Sequence, residues 1–212
     1  MKRFEIITET DARSLTRGDV VELARRGHIT PLAHDTLKER GVTVVREGRS
    51  SEHEASLAPA ADVRSVAIAS DHTGIALRRA LVSFLRGRGL AVHDMGTEAP
   101  DPVDYPDMAA MVARAVAHGE ADAGIVIDGV GIGSAMAANK VRGVRAAMAT
   151  SESIARYSRE HNGANVLTLG ATLLSGEEAR AIVATWLGTP MREPRYIRRL
   201  AKIKDLEDRE HA

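Results

Sequence analysis

The chain contains no cysteine. Disulfides, thiolate nucleophiles and cysteine-ligated zinc or iron–sulfur sites are therefore excluded. Aromatic residues are also scarce, at 3%, so any core is built from Val, Ile, Leu, Ala and Met. No charge of either sign is in excess, because 29 basic residues balance 29 acidic ones. A general binder of nucleic acid or of anionic membranes carries a basic surplus, and neither partner is expected here. No apolar run reaches the roughly 18 residues that would span a membrane. The opening residues, Met1-Lys-Arg-Phe-Glu-Ile-Ile7, lack the long apolar stretch of a secretory signal, so a cytoplasmic location is expected.

What is present is an apolar fraction of 44% over 212 residues, enough for one α/β domain and a small appendage. The clearest shift in composition lies after Arg46. The stretch from Glu47 to Asp62 is polar, small and without periodicity, and residues 47–63 read as a linker. It divides a short module, residues 1–46, from a domain over residues 64–212. In the module, Phe4–Ile7 reads as a strand and Asp19–Leu23 as a second short apolar run. Thr30-Pro31 opens a helix that runs to Arg40 and is closed by Gly41, and the β-branched Val42–Val45 reads as a strand. About 45 residues bury a thin core, so the module is expected to dock on something.

The longer domain alternates strand and helix. Strands are expected at Ser65–Ser70, Ala91–Met95, Gly124–Ile127, Val144–Ala149 and Asn165–Leu169. Between them Leu77, Leu81 and Leu85 mark one amphipathic helix. Met108, Met111, Val112, Ala115 and Val116 mark another. Glu152–Glu160, Gly176–Leu187 and the charged tail from Pro194 complete the helices. The pattern predicts an α/β fold, a Rossmann-like, doubly wound five-stranded parallel sheet, with a small N-terminal α+β module. Such sheets bind ligands at the carboxyl ends of their strands.

Polar residues collect at those ends. Asp71-His72-Thr-Gly74 follows the first strand, Asp101-Pro-Val-Asp-Tyr105-Pro106 the second, and Asp128-Gly129-Val-Gly131-Ile-Gly133 the third. Three alternate glycines permit unusual backbone angles, and N–H groups exposed there would hold an anion. The plainer alternative is a tight strand-to-helix turn in which Asp128 bonds local amides. His72 and His161 could each be ordinary loop histidines. No close His/Asp pair at helical spacing suggests a metal. In the tail, Arg195 and Arg199 stand one helical turn apart, so their guanidinium groups could converge on one phosphate.

Seven strings carry a family resemblance. They are Ala-Ser-Asp-His-Thr-Gly at 69–74, Val-Asp-Tyr-Pro at 103–106, Gly-Val-Gly-Ile-Gly at 129–133, Ala-Ala-Asn-Lys at 137–140, Gly-Val-Arg-Ala-Ala at 143–147, Arg-Glu-His-Asn at 159–162 and Ala-Asn-Val-Leu-Thr-Leu-Gly at 164–170. In this order, from about Val66 to Ile203, the chain resembles the type B ribose-5-phosphate isomerases and the galactose-6-phosphate isomerase subunits. The resemblance implies aldose–ketose isomerisation of a phosphorylated sugar through an enediolate. It also implies no cofactor, and a homodimer or tetramer with interfacial sites. His161 matches the ring-opening histidine. Asp71, His72, Tyr105 and Asn162 match residues around the substrate, with His72 near the phosphate. Arg195 and Arg199 match phosphate-binding arginines. Gly129, Gly131, Gly133 and Asn139 match the loop that holds the enediolate.

The chain departs from that pattern at the base. The family's usual cysteine falls at Asp128, a neighbouring threonine at Val130 and a histidine at Tyr196. The acidic base of other members falls at Ser134. A carboxylate can serve as a carbon base, so Asp128 is expected to take the proton. A catalytically impaired sugar-phosphate-binding or scaffold protein is the alternative. The segments Ile7-Thr-Glu9, Ile29–Ala33 and Leu37–Val42 also resemble the leading segment of some bacterial-microcompartment enzymes. Shell or cargo proteins are the partners this implies, and the interior of such a compartment the location.

Overall fold

The computed structural model describes residues 2–46, 57–60, 62–99 and 101–210. The chain divides into two compact units, Met1–Ala55 and Ser56–Ala212. Most of the expected linker, residues 47–56 and 61, lies outside the described residues.

The first unit is a three-stranded parallel sheet with two helices. Its strands are β1 (Lys2–Ile7), β2 (Val20–Ile29) and β3 (Thr43–Arg46), in that spatial order. Helix α1 (Glu9–Ser14) joins the first two strands and α2 (Pro31–Glu39) the last two. Ile7, Ala12, Leu15, Val21, Leu23, Ala33 and Leu37 form a small buried core. Two features go beyond the sequence reading. A short helix starts at Thr8, whose side chain and that of Asp11 cap each other's backbone. In addition, β2 continues through polar residues to Ile29, where parallel pairing with β1 sustains it without an apolar pattern.

The second unit contains the expected doubly wound sheet. Its strands are β4 (Ser65–Ser70), β5 (Ala91–Asp94), β6 (Ala123–Asp128), β7 (Ala146–Met148) and β8 (Val166–Gly170). All pair in parallel, in the order β5-β4-β6-β8-β7. Helices α3 (Ile75–Gly87), α4 (Tyr105–Ala117), α5 (Ile132–Ala138), α6 (Glu152–Glu160), α7 (Gly176–Leu187) and α8 (Pro194–Glu210) accompany it. Strand residues alternate between two cores, as a two-residue period requires. Val66, Ile68, Ile125, Ile127, Leu167 and Leu169 face α3, α6 and α7, where Leu81, Ile182 and Trp186 are buried. Ala67, Ala69, Val126 and Val166 face α4 and α5. That second core is rich in alanine, so α4 packs close to the sheet. A Cβ on Gly124 would come within 2.7 Å of Val112. The helices lie on both faces, and the strand order reverses between β4 and β6. The crevice there is bounded by Asp71 on one side and Asp128 on the other.

The last stretch of the expected linker belongs to this second unit. Residues 57–60 pack on it through backbone carbonyls and through Leu57, Ala58 and Pro59. Among the described residues no helix is long and apolar enough to cross a membrane.

One polar contact fixes where the sheet begins. Asp122 Oδ2 accepts from the backbone N–H groups of Arg64 (2.9 Å) and Ser65 (2.8 Å) and from the Ser65 hydroxyl (2.9 Å). Partial burial works to raise its carboxyl pKa, but these donors together hold it below the ordinary 3.8. Its contribution to stability is therefore complete above that value and is lost as pH falls through the lower folded-state value. Asp122→Ala should lower unfolding free energy by about 1–3 kcal/mol at neutral pH. In denaturant titrations the difference from the parent should shrink under strongly acid conditions.

Candidate active site

The carboxyl edge of the sheet carries the first group of expected site residues. Asp71 directly follows β4 and is 6% exposed. Its Oδ1 accepts from Thr73 N (2.8 Å), Thr73 Oγ1 (2.5 Å) and Gly74 N (3.3 Å), which starts the turn His72–Gly74. Every one of these bonds falls on Oδ1, so Oδ2 is the oxygen that this turn leaves open. His72 follows, half-buried, and its Nδ1 lies 3.4 Å from the Val103 N–H. An acceptor role for Nδ1 leaves Nε2 to carry the proton. The same contact ties the 101–106 loop to the end of β4. Tyr105 opens α4, and its ring covers Gly133, where a Cβ would come within 2.6 Å of the ring. Gly133 is thus required for close approach to an aromatic face.

The glycine loop itself differs from the expectation of open donors. Asp128 is 4% exposed. Its Oδ1 accepts from Val130 N (2.8 Å) and from Gly131 N, and its Oδ2 from Ser134 N (3.0 Å) and the Ser134 hydroxyl. A carboxylate offers about four acceptor sites, and four local donors take them. The loop therefore cradles an anion, and the anion is its own aspartate. Gly129, Ile132 and Gly133 are the loop residues whose N–H groups Asp128 does not engage. Gly131 has φ of 81°, and a Cβ there would lie 3.0 Å from the Leu169 carbonyl carbon. Gly170 is equally confined, because a Cβ there would meet the Val130 backbone at 2.8 Å. The loop is pressed onto the end of β8 and is further held by Thr168 Oγ1 donating to Gly131 O at 2.6 Å.

A second group forms at the opposite edge of the sheet. Helix α6 ends at His161, whose ring is flanked by two tyrosines, Tyr157 at 4.8 Å and Tyr196 at 4.4 Å between centroids. Arg195 lies 4.8 Å and Arg199 5.5 Å from the centre of the Tyr196 ring, so α8 brings both guanidinium groups to one aromatic ring. Arg195 also donates to the Tyr196 hydroxyl at 3.1 Å. Arg156 covers Tyr157 at 4.7 Å. Asn162 is exposed beside this group.

These two groups cannot form one site within one chain. In a parallel sheet every strand-to-helix turn lies at one edge and every helix-to-strand turn at the other. β8 alone has 5 residues, which separates the edges by roughly 16 Å. Asp71, His72, Tyr105 and the glycine loop occupy the carboxyl edge. His161 and Asn162, which precede β8, occupy the amino edge with Arg195 and Arg199. Asn139 lies apart from the glycine loop, at the amino edge, where it lines one cavity with Asn162 and Arg145. It caps the far end of α5, and its amide donates to Ala135 O and Ala146 O and accepts from Ala146 N, bracing β7. Sequence reasoning passed over Tyr157, although its position one helical turn before His161 was a usable signal. Among the described residues no group of three or more His, Asp or Glu could hold a metal ion.

Residues 66–203 match the family described as Ribose/Galactose Isomerase. Ribose-5-phosphate isomerase B of Escherichia coli is 40% identical over 147 residues, which cover 69% of this chain and 99% of the relative. A ribose-5-phosphate isomerase B structure from Clostridium thermocellum is 46% identical, with a TM-score of 0.68, over 69% of this chain and 99% of that one. The Mycoplasma genitalium enzyme with bound ribulose 5-phosphate is 40% identical, with a TM-score of 0.66, over 68% of this chain and 96% of that one. From Val66 through the first turns of α8, the strands, the glycine loop and the His161 turn described above are those of one family, and the chain belongs to the Ribose/Galactose Isomerase family.

Proposed function

We propose that the chain is an aldose–ketose isomerase acting on a phosphorylated sugar, of the ribose 5-phosphate and ribulose 5-phosphate type, through an enediolate. Family membership carries the reading, and the two residue groups supply its parts. At the amino edge, His161 opens the sugar ring while Arg195 and Arg199 hold the phosphate as charge-assisted donors. At the carboxyl edge, a carboxylate moves the proton between C1 and C2, and loop N–H groups stabilise the enediolate oxygen. His72, Tyr105 and Asn162 line the substrate. Each complete site combines the carboxyl edge of one subunit with the amino edge of another, in a homodimer or a pair of dimers.

Two carboxylates compete for the proton. Asp128 stands where the family has its base, but its acceptor sites are filled by four local donors. Asp71 has Oδ2 open at the same crevice. The geometry favours Asp71 as base, with Asp128 holding the loop in shape. The second reading is that substrate displaces Asp128 from the loop, so that the enediolate takes the Val130, Gly131 and Ser134 N–H groups while the freed carboxylate takes the proton.

Exchange of the C2 proton with solvent, followed across a panel of pentose, tetrose and hexose phosphates, tests the activity itself. It reports the base even when net conversion is slow. Absence of exchange with every member would leave the sugar-phosphate-binding scaffold as the reading. With an active substrate in hand, Asp71→Asn should slow exchange by about 10²–10⁴-fold, the usual worth of a general base. Asp128→Asn should retain most exchange if Asp128 only shapes the loop. The opposite ranking would assign the base to Asp128.

Subunit mixing tests the interfacial arrangement. Asp71→Asn and His161→Gln disable opposite edges. Dissociated and reassociated together, the two inactive proteins should recover about a quarter of parent activity, because roughly half of random dimers are mixed and each mixed dimer has one intact site of two. No recovery in mixed dimers would place both edges of a site in one subunit.

The first unit is proposed as a docking element for a microcompartment shell or its cargo. Support comes from the resemblance of its segments at 7–9, 29–33 and 37–42 and from the exposure of Leu32 at 69% and Val20 at 48%. Deleting residues 2–46 should abolish co-purification with shell proteins. Equal co-purification with and without those residues would remove the idea.

A further inference from the structure

Residues 57–60 precede the span matched by the family, yet they are built into the His161 edge. Buried Arg159 and half-buried Arg145 make the connection. Arg145 donates from Nη2 to Leu57 O (2.9 Å) and from Nε to Gly163 O (2.8 Å). Arg159 donates from Nη2 to Ala60 O (2.9 Å) and from Nη1 to Ala164 O (2.8 Å). Each guanidinium thus joins one carbonyl of the 57–60 segment to one carbonyl of the turn that carries His161 and Asn162. All four of these bonds go to backbone carbonyls, so in them the planar forks serve the backbone.

The apolar side of the segment makes a second connection. Leu57 and Ala58 pack on Met191, Tyr196, Leu200 and Ile197, at the start of α8. Pro59 is buried against Gly163, where a Cβ would lie 3.4 Å from its ring and 2.6 Å from Leu200. Tyr196 in turn packs on His161 and carries Arg195 and Arg199 on its ring. The turn at 161–164 and the start of α8 are separate in sequence, and residues 57–60 touch both.

We propose that residues 57–60 are a positioning strap, which fixes the His161 turn and the Arg195/Arg199 face of α8 in the relative geometry that one sugar phosphate needs. The proposal rests on the reading of His161, Arg195 and Arg199 as the ring-opening and phosphate half of the site. It makes the stretch before the family domain part of the catalytic apparatus rather than a spacer. Proline suits the task, because its restricted φ keeps a short segment extended at little entropic cost.

The test uses the full-length protein with Leu57→Gly and Pro59→Gly combined, which keeps both arginines and the carbonyls they bond. Hydrogen exchange should speed up at Gly163, Ala164 and the first turns of α8, and remain at parent level in β4, β6 and residues 128–134. With ribose 5-phosphate, or whichever panel member the parent turns over, KM should rise and kcat/KM fall roughly tenfold to a hundredfold. A merely structural strap would lower the melting temperature and leave KM unmoved, and that result would overturn the proposal. Unchanged exchange at 161–164 would overturn it as well. If the double variant does not fold, Pro59→Gly alone carries the same comparison. If the parent turns over no sugar phosphate, the functional reading fails, and the exchange data still decide whether the strap holds the turn to α8.

Discussion

A parallel sheet sorts its connections by direction, and much else in this protein follows from that. Each strand of the second unit ends at the same edge, where Asp71 and Asp128 flank the reversal of strand order between β4 and β6. Each helix returns the chain to the other edge, where α6 delivers His161. A carbon base and a ring-opening histidine placed at opposite edges cannot reach one five-carbon sugar inside one chain. On the proposed assignment of these residues, association completes the site. The apolar residues left exposed near the glycine loop, Val130, Ile132 and Met136, are in keeping with a surface that meets a partner.

Within the carboxyl edge, the substitution of an aspartate at position 128 changes more than the identity of a base. A thiol would leave the N–H groups of Val130, Gly131 and Ser134 without a strong internal acceptor. The carboxylate takes all three and adds the Ser134 hydroxyl. Donors that could stabilise an enediolate are thus satisfied before substrate arrives. Either the chemistry runs on the remaining donors with Asp71, or substrate must exchange one anion for another in the loop. In the second case the loop's donors are never left unpaired, which avoids the penalty for buried unsatisfied N–H groups.

The order and type of the elements in the second unit were legible in the sequence because a strand buried on both faces is a continuous apolar run. Ser65–Ser70 and Ala123–Asp128 are such runs. The glycine loop was equally legible, since Gly131 at positive φ and Gly133 under a tyrosine ring have no substitutes. Less could be read where function depends on what a side chain is already doing. Asp128 has the same letter whether it faces substrate or its own amides, and only the geometry shows its four donors. Asn139 lies in a family string, but α5 carries it away from the loop by its own length. Residues 57–60 looked like linker because Ala, Pro and Leu in a polar stretch carry no period. Their order comes from carbonyl groups, which every residue has and no sequence pattern reveals.

The amino edge gathers Arg145, Arg159, Arg195 and Arg199, with Glu193 beside Arg195 and Glu207 acting on Arg145. Burial, followed by the nearness of Arg145, lowers the Arg159 pKa to about 10, and burial lowers that of Arg145. Both remain cationic at neutral pH, and in the described bonds their counterparts are carbonyl dipoles rather than carboxylates. Arg159 also stacks on Trp186 at 4.8 Å, while its Nε and the Trp186 Nε1 find no acceptor among the described residues. Two like charges close enough to act on one another, one of them buried, oppose folding. Arg195 and Arg199 on the Tyr196 ring add further charge of the same sign along the same edge. A phosphate dianion would add to the attraction that Glu193 already gives Arg195 at 3.7 Å and that Glu207 gives Arg145. Binding energy spent in this way is specific to the phosphate. On the proposed reading, it is also available to hold the sugar carbon against a carboxylate supplied from the other edge of a second subunit.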